Sequence, residues 1–118
     1  MIEIRNCKYG RGVFATETIP KGTVVERSPV IIIEDKHEET VAKMPLQLYL
    51  FEFGKHQAIA LGVGSLFNHS TKFNVDYKTN LKKKMIDFKA VRNIRKGSQL
   101  FIDYGYDMKY ARNFLRKL

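Results

Sequence analysis

Gly62-Val63-Gly64-Ser65-Leu66-Phe67-Asn68-His69-Ser70 and, further along, Leu100-Phe101-Ile102-Asp103-Tyr104-Gly105-Tyr106-Asp107 are the two stretches on which the fold turns. In each, polar residues with strict geometric demands follow directly on apolar ones, an order that packing alone gives little reason for. Taken separately, Asn68-His69-Ser70 also suits a turn with capping side chains, and Asp103-Tyr104-Gly105 the end of a strand. Together they point to a site.

Outward from these blocks the chain consists of short apolar runs separated by glycine-bearing turns: 2–4, 13–15, 24–25, 30–33, 48–53, 58–61, 75–77, 85–91 and 100–104. They are rich in Val, Ile, Phe and Tyr, which predicts many short strands and a mainly β fold. Helix is expected only at 38–43, where Pro45 ends it, as a single turn at 64–67, and at 108–118, where Tyr110, Phe114 and Leu118 recur at four-residue spacing behind a capping Asp107. One internal echo is present. Ala15-x-x-x-Ile19-x-Lys21-Gly22-Thr23 returns as Ala90-x-x-x-Ile94-x-Lys96-Gly97-Ser98, which reads as one turn problem solved twice rather than as a duplicated domain.

A chain of 118 residues fits a single domain spanning 1–118 with a small core. No window has the apolar length of a membrane span, and the first residues lack the layout of a secretion signal, so a soluble, intracellular protein is expected. The single Cys7 excludes an internal disulfide, and three histidines (His37, His56, His69) give no metal-ligand spacing. The net charge of +9 is unevenly placed. Residues 1–77 carry nine basic and nine acidic side chains, whereas 78–118 carry twelve basic ones against Asp87, Asp103 and Asp107. Such an end would attract polyanions, or simply be a solvated surface with Lys82, Lys83 and Lys84 on a hairpin tip.

The assembled blocks resemble the SET-domain protein-lysine methyltransferases, and in brevity the minimal viral or bacterial forms. The likeness runs through Tyr9-Gly10-Arg11-Gly12-Val13-Phe14-Ala15, Pro20-Lys21-Gly22-Thr23-Val24-Val25, Phe67-Asn68-His69-Ser70 with Asn74, and Lys96-Gly97 leading into Ile102-Asp103-Tyr104-Gly105. The resemblance implies several small sheets around a C-terminal pseudoknot, with the last segment threaded beneath the loop bearing Asn-His-Ser, a rare topology. It implies S-adenosylmethionine as cofactor and S-adenosylhomocysteine as product. By resemblance Gly10, Arg11 and Gly12 approach the methionine end of the cofactor through backbone, while Asn68 and His69 hold its amino group and adenine edge. Taken alone, a histidine such as His69 is more often structural than a ligand, and it is the neighbouring Asn68 and the distant Tyr104 that favour the binding role.

Methyl transfer to lysine requires a neutral amine, in-line approach to the sulfur–methyl bond and exclusion of water. An amine with an ordinary pKa of about 10.4 is almost wholly charged at neutral pH. A narrow aromatic passage lowers that value by desolvation. Tyr104 matches the family's catalytic tyrosine and is expected to contact the cofactor as well, although a buried strand-end tyrosine tied to backbone is a common alternative. The same alignment assigns Tyr49, Tyr77, Ile102 and Tyr106 to the substrate lysine channel. Tyr77 and Ile102 stand where relatives carry residues that restrict the number of methyl groups added.

The chain departs from the family pattern at Arg11, where some relatives have an aromatic, and at Gln99, where Glu is usual. Cysteine-rich flanks are absent, so residues 107–118, with Met108, Tyr110 and Phe114, are expected to form the cofactor lid. The implied substrate is a histone or another basic, DNA-associated protein offering a lysine-bearing tail. A basic enzyme repels such a tail, and the acidic run at 34–39 is the expected receiving surface. Minimal relatives imply a homodimer, with a cytoplasmic location for a bacterial protein and the host nucleus for a viral one. The alternative function is a non-catalytic nucleic-acid-binding module using Lys78, Lys82, Lys83, Lys84, Lys89, Arg92, Arg95 and Lys96, with Phe88 and Phe101 as stacking rings. A third reading is a methyltransferase that has lost activity and persists as an interaction partner.

Overall fold

The computed structural model describes residues 1–8 and 10–104. Among these residues nine strands follow one another: β1 Ile2–Cys7, β2 Gly10–Ala15, β3 Val24–Ile33, β4 Leu50–Phe53, β5 His56–Ala60, β6 Asn68–His69, β7 Val75–Asn80, β8 Met85–Ala90 and β9 Gln99–Ile102. The single α-helical turn, α1 Glu38–Val41, is preceded by a 3-10 turn at Asp35–His37 and followed by another at Pro45–Tyr49; a third lies at Gly64–Leu66. Pro45 starts its turn at a position where a missing N–H is harmless. The expected mainly β fold with short helices is what the chain adopts. The expected 108–118 helix, its Asp107 cap and the lid lie outside the described residues.

Two sheets share one core. The first has the order β1-β2-β9-β6, the second β4-β5-β3-β8-β7. β8 shows why the apolar spacing specifies strands: Ile86, Phe88 and Ala90 point inward and are buried, while Lys89 is exposed. Phe88 meets Phe67 at 4.8 Å and Phe51 at 5.9 Å between ring centroids, joining the sheet to the loop that carries Asn68. A stacking surface for bases therefore cannot include Phe88, which removes one of its two expected rings.

The runs 24–25 and 30–33 form a single ten-residue strand rather than two. β3 changes partner along its length. Residues from Val24 to Pro29 pair with β8, and those from Val30 to Ile33 pair with β5. Pro29, which has no N–H to give a ladder, stands at the hand-over, and a register shift between Val24 and Glu26 bends the strand toward it.

The internal echo acquires a structural meaning. Its two copies pair with each other about a local two-fold. Ile19 N donates to Ile94 O and Ile94 N to Ile19 O, both at 2.8 Å. Gly22 N donates to Ala90 O and Gly97 N to Ala15 O, again at 2.8 Å each. Ala90 N reaches Thr23 O at 2.8 Å and Ala15 N reaches Ser98 O at 2.9 Å. Thus the same turn is used twice because each copy completes the hydrogen bonding of the other.

Gly64 marks the tightest packing beneath the site. A Cβ there would collide with Ser28 Oγ and lie 2.6 Å from Ala60 Cβ and 2.9 Å from Phe88 Cε2. The Ser28 hydroxyl is itself fully buried and has no hydrogen-bond partner among the described residues. Gly64→Ala is expected to destabilise by about 1–3 kcal/mol through overpacking. Ser28→Ala is expected to stabilise by about 1 kcal/mol, because it removes an unsatisfied buried hydroxyl. Denaturant unfolding of the two single variants and the double variant checks both signs; stabilisation by Gly64→Ala would contradict the packing account.

Candidate active site at the junction of β6 and β9

β6 is only two residues long and pairs in parallel with the last described strand: Asn68 lies opposite Phe101, and His69 opposite Ile102. The pairing continues past the strand end, where Ser70 N donates to Ile102 O at 3.0 Å and Asn74 N to Phe101 O at 3.2 Å. Asn74 then closes the grip with its side chain. Its Nδ2 donates to Gln99 O at 3.0 Å, and its Oδ1 accepts from Phe101 N at 2.8 Å. Residues 68–74 thus hold β9 on one flank while β2 holds it on the other through Val13 and Phe14. The expected threading beyond Tyr104 falls on residues that are not described.

At one end of this junction the Asn68 carboxamide donates to Arg11 O at 2.9 Å and to Gln99 Oε1 at 2.8 Å, with Cys7 Sγ at 3.6 Å. Gly12 lies directly against them. A Cβ at this buried position would collide with Gln99 Oε1 and stand 3.0 Å from Asn68 Nδ2, so a larger residue would have to displace the two amides that meet here. Arg11 contributes its carbonyl while its side chain is exposed, and Gly10 opens β2. Both amide protons of Asn68 are directed inward, which leaves Oδ1 as the acceptor available to a ligand.

At the other end, Tyr104 N donates to His69 Nδ1 at 3.0 Å. An N–H aimed at Nδ1 requires that nitrogen to be bare, so the neutral ring carries its proton on Nε2. Asp103 Oδ1 is 3.7 Å from the same Nδ1, too long to compete with the backbone bond. The Tyr104 ring leans on His69 at 5.1 Å, and its hydroxyl donates to Phe67 O at 2.8 Å. Only 8 % of Tyr104 is exposed. Burial, and secondarily the neighbouring Tyr49, push its phenol well above the ordinary value of about 10, so it is neutral across the physiological range.

The other expected channel residues are spread around this point. Tyr49 ends the turn Pro45–Tyr49, is 37 % exposed and contributes secondarily to the raised Tyr104 phenol. Ser65 anchors it, donating to Tyr49 O at 2.9 Å while accepting from Ala60 N at 3.0 Å. Tyr77 packs edge-on against Phe51 at 5.0 Å, and Ile102 is fully buried. Tyr106 lies outside the described residues. Neither Ser65 nor the Phe67 carbonyl is marked by any pattern in the chain. Asn74 was visible in its block without a role, and Gln99 only as a departure.

A family model described as the SET domain matches residues 10–105. The chain belongs to the SET-domain family of protein-lysine methyltransferases. A curated relative, the histone-lysine N-methyltransferase of Schizosaccharomyces pombe specific for lysine 37 of histone H3, is 37 % identical over 108 residues, which is 88 % of this chain and 73 % of the relative. A crystal structure of a Plasmodium falciparum protein, provisionally assigned as a histone methyltransferase, superposes with a TM-score of 0.73 at 28 % identity, covering 90 % of this chain and 94 % of that one.

This SET domain carries six tyrosines, and among the described residues Tyr104 has a clearly raised phenol. Ultraviolet titration is expected to show a late tyrosinate component that Tyr104→Phe removes. Because the folded phenol binds its proton more tightly than the unfolded one, the stability linked to it is complete below pH about 10 and is lost as pH rises further. Ionisation of all six tyrosines together would refute the burial argument.

Proposed function

We propose that this SET domain transfers a methyl group from S-adenosylmethionine to a lysine side chain of a histone or another basic, DNA-associated protein. The observation that carries this reading is the convergence of Asn68, His69 and Tyr104 on one short parallel junction, with the Gly12 backbone pressed against it. The residues fit the cofactor. Gly12 leaves the room that the Asn68 and Gln99 amides occupy, and the Asn68 Oδ1 that their bonding leaves over suits an ammonium group, as hydrogen bonds to charged donors contribute about 1.5–3 kcal/mol. When bound, S-adenosylmethionine supplies an electrophilic methyl group on a sulfonium.

The chain's own residues supply the remainder. The lysine would enter past Tyr49, which is 37 % exposed, toward Tyr104, which is buried and bonded to Phe67 O. Lysine inserted there is desolvated, which favours its neutral form, and its proton leaves toward water at the Tyr49 mouth. Tyr104 does not accept that proton, because its phenol is already held neutral. Its O–H is committed to Phe67 O, which leaves the lone pairs of the hydroxyl oxygen to orient the amine. The remaining acceleration comes from alignment rather than from acid–base chemistry.

Gln99 sets the direction of Asn68 and so belongs to the same machinery. Its amide oxygen is an acceptor as a carboxylate would be, which explains how the chain dispenses with the usual acid at this position.

Incubation with labelled cofactor and basic protein substrates, followed by mass spectrometry of the modified residue, tests the reading. Tyr104→Phe is expected to reduce turnover at least about 100-fold while cofactor affinity is kept. Asn68→Ala is expected to raise the cofactor dissociation constant about 10–100-fold. Retained turnover in Tyr104→Phe, or unchanged cofactor binding in Asn68→Ala, would overturn the assignment.

The acidic run supports a place for the substrate tail. Glu34, Asp35 and Glu39 are exposed around α1, and Pro45–Tyr49 follows directly toward the channel mouth. Charge reversal at these three positions is expected to raise KM for a basic peptide several-fold with kcat unchanged, as loss of surface attraction does. An unchanged KM would remove this surface from the reading.

A further inference from the structure

The basic excess is not spread evenly over the surface. On the outward face of the second sheet the positive side chains are answered in place: Asp76 stands opposite Lys89, Asp87 stands opposite both Lys78 and Arg27, and Arg27 Nε lies 3.6 Å from Asp87 Oδ1. Two groups are left uncompensated. One is the hairpin tip with Lys82, Lys83 and Lys84, all exposed. The other is made by the fold. Antiparallel pairing of the two echoes about Ile19 and Ile94 sets Lys21 of the first turn against the Arg92 end of the second, with Lys21 N fastened to Asn93 Oδ1 at 2.8 Å, and sets Arg95 and Lys96 of the second turn at the other end of the same paired unit, across from Glu17. All four side chains are exposed, and among the described residues none of them forms an ion pair. Glu17 is the only acid in the paired segments.

We propose that these paired turns form a contact surface for the phosphate backbone of a nucleic acid. The chemistry fits. Two guanidinium groups offer forked donors to phosphate oxygens, two ammonium groups add point charges, and the rigid double turn presents them without ordering a flexible segment. The surface also has a fixed relation to the active site. β9 begins at Gln99, immediately after the second turn, and leads to Tyr104. Five residues of extended chain separate those points by about 17 Å. A protein lying on the nucleic acid could therefore reach Tyr104 with a tail of about six residues. This part of the inference rests on the methyltransferase reading and deepens it: the preferred acceptor is the nucleic-acid-bound form of a basic protein.

Fluorescence anisotropy of the full chain with a labelled DNA duplex, a single-stranded RNA of equal length and a polyglutamate peptide tests the surface. Four phosphate contacts on a duplex imply a log–log salt slope of about −3.6, or about a 100-fold loss of affinity between 50 and 200 mM salt. Tighter binding of the duplex identifies DNA as the source of the phosphates, and tighter binding of the single strand identifies RNA. Polyglutamate binding as tightly as either overturns the proposal. The triple variant Lys21→Glu, Arg95→Glu, Lys96→Glu is expected to lose at least about 10-fold in affinity, and the charge-matched Lys82→Glu, Lys83→Glu, Lys84→Glu less than about threefold. Equal losses would mean that net charge alone is at work and would overturn the placement. If the first triple does not fold, Lys96→Ala alone is expected to flatten the slope by about 0.9. Methylation of a free basic peptide should be unchanged in the turn variant, while methylation of the same sequence in a DNA-bound protein falls. Equal methylation of both forms by the wild-type chain would overturn the coupling to substrate. A chain that binds nucleic acid at the turns yet methylates nothing would refute the enzymatic reading and leave the surface intact.

Discussion

The Asn74 carboxamide uses both of its faces on β9, donating to Gln99 O and accepting from Phe101 N, and through it two stretches remote in sequence are held at a fixed offset. The two-residue ladder of β6 is too short to persist by its own hydrogen bonds. Asn74 on one side and the bond from Ser70 N to Ile102 O at its end extend it. The register that results decides the site, because a shift by one residue would turn His69 away from Tyr104 and Asn68 away from Gly12.

Once that register is set, the electrical character of the site follows. Tyr104 is pressed into a pocket floored by Phe67, whose carbonyl takes the phenol proton's hydrogen bond. Burial keeps the phenol neutral, and the same dryness disfavours a charged amine beside it. The polar groups at the other end of the junction are instead mutually satisfied: Asn68, Arg11 O and Gln99 form a closed set of donors and acceptors with one oxygen spare. A short strand pair thus separates an apolar, aligning end from a polar, anchoring end.

Much of this was legible in the chain, and the exceptions have physical causes. The alternation in Met85–Ala90, the turn at 64–67 and the helix beginning at Glu38 were readable because each depends on local patterning. β3 looks like two runs in the sequence because Glu26, Arg27, Ser28 and Pro29 interrupt its apolar character, and only the exchange of partners at Pro29 reveals why one strand contains them. At the site, Asn68, His69 and Tyr104 stood out as polar residues after apolar ones. Cys7, Gln99 and Ser65 did not. Their roles arise from partners far away in the chain, as with Cys7 and Gln99, which are 92 positions apart. No local signal encodes such a meeting.

The reciprocal pairing of the two echoes also dictates a timetable. Ile19 leaves the ribosome early, but its partner Ile94 is 75 residues behind it, and the flank of β2 that receives β9 stays bare until then. At ordinary elongation rates of about 5–20 residues per second, that delay is about 4–15 s. During it the nascent chain displays an unpaired strand edge, an invitation to neighbouring chains. Slow translation, or a truncation before residue 94, thus exposes this protein to self-association while its first hairpin waits for a partner segment 75 residues downstream.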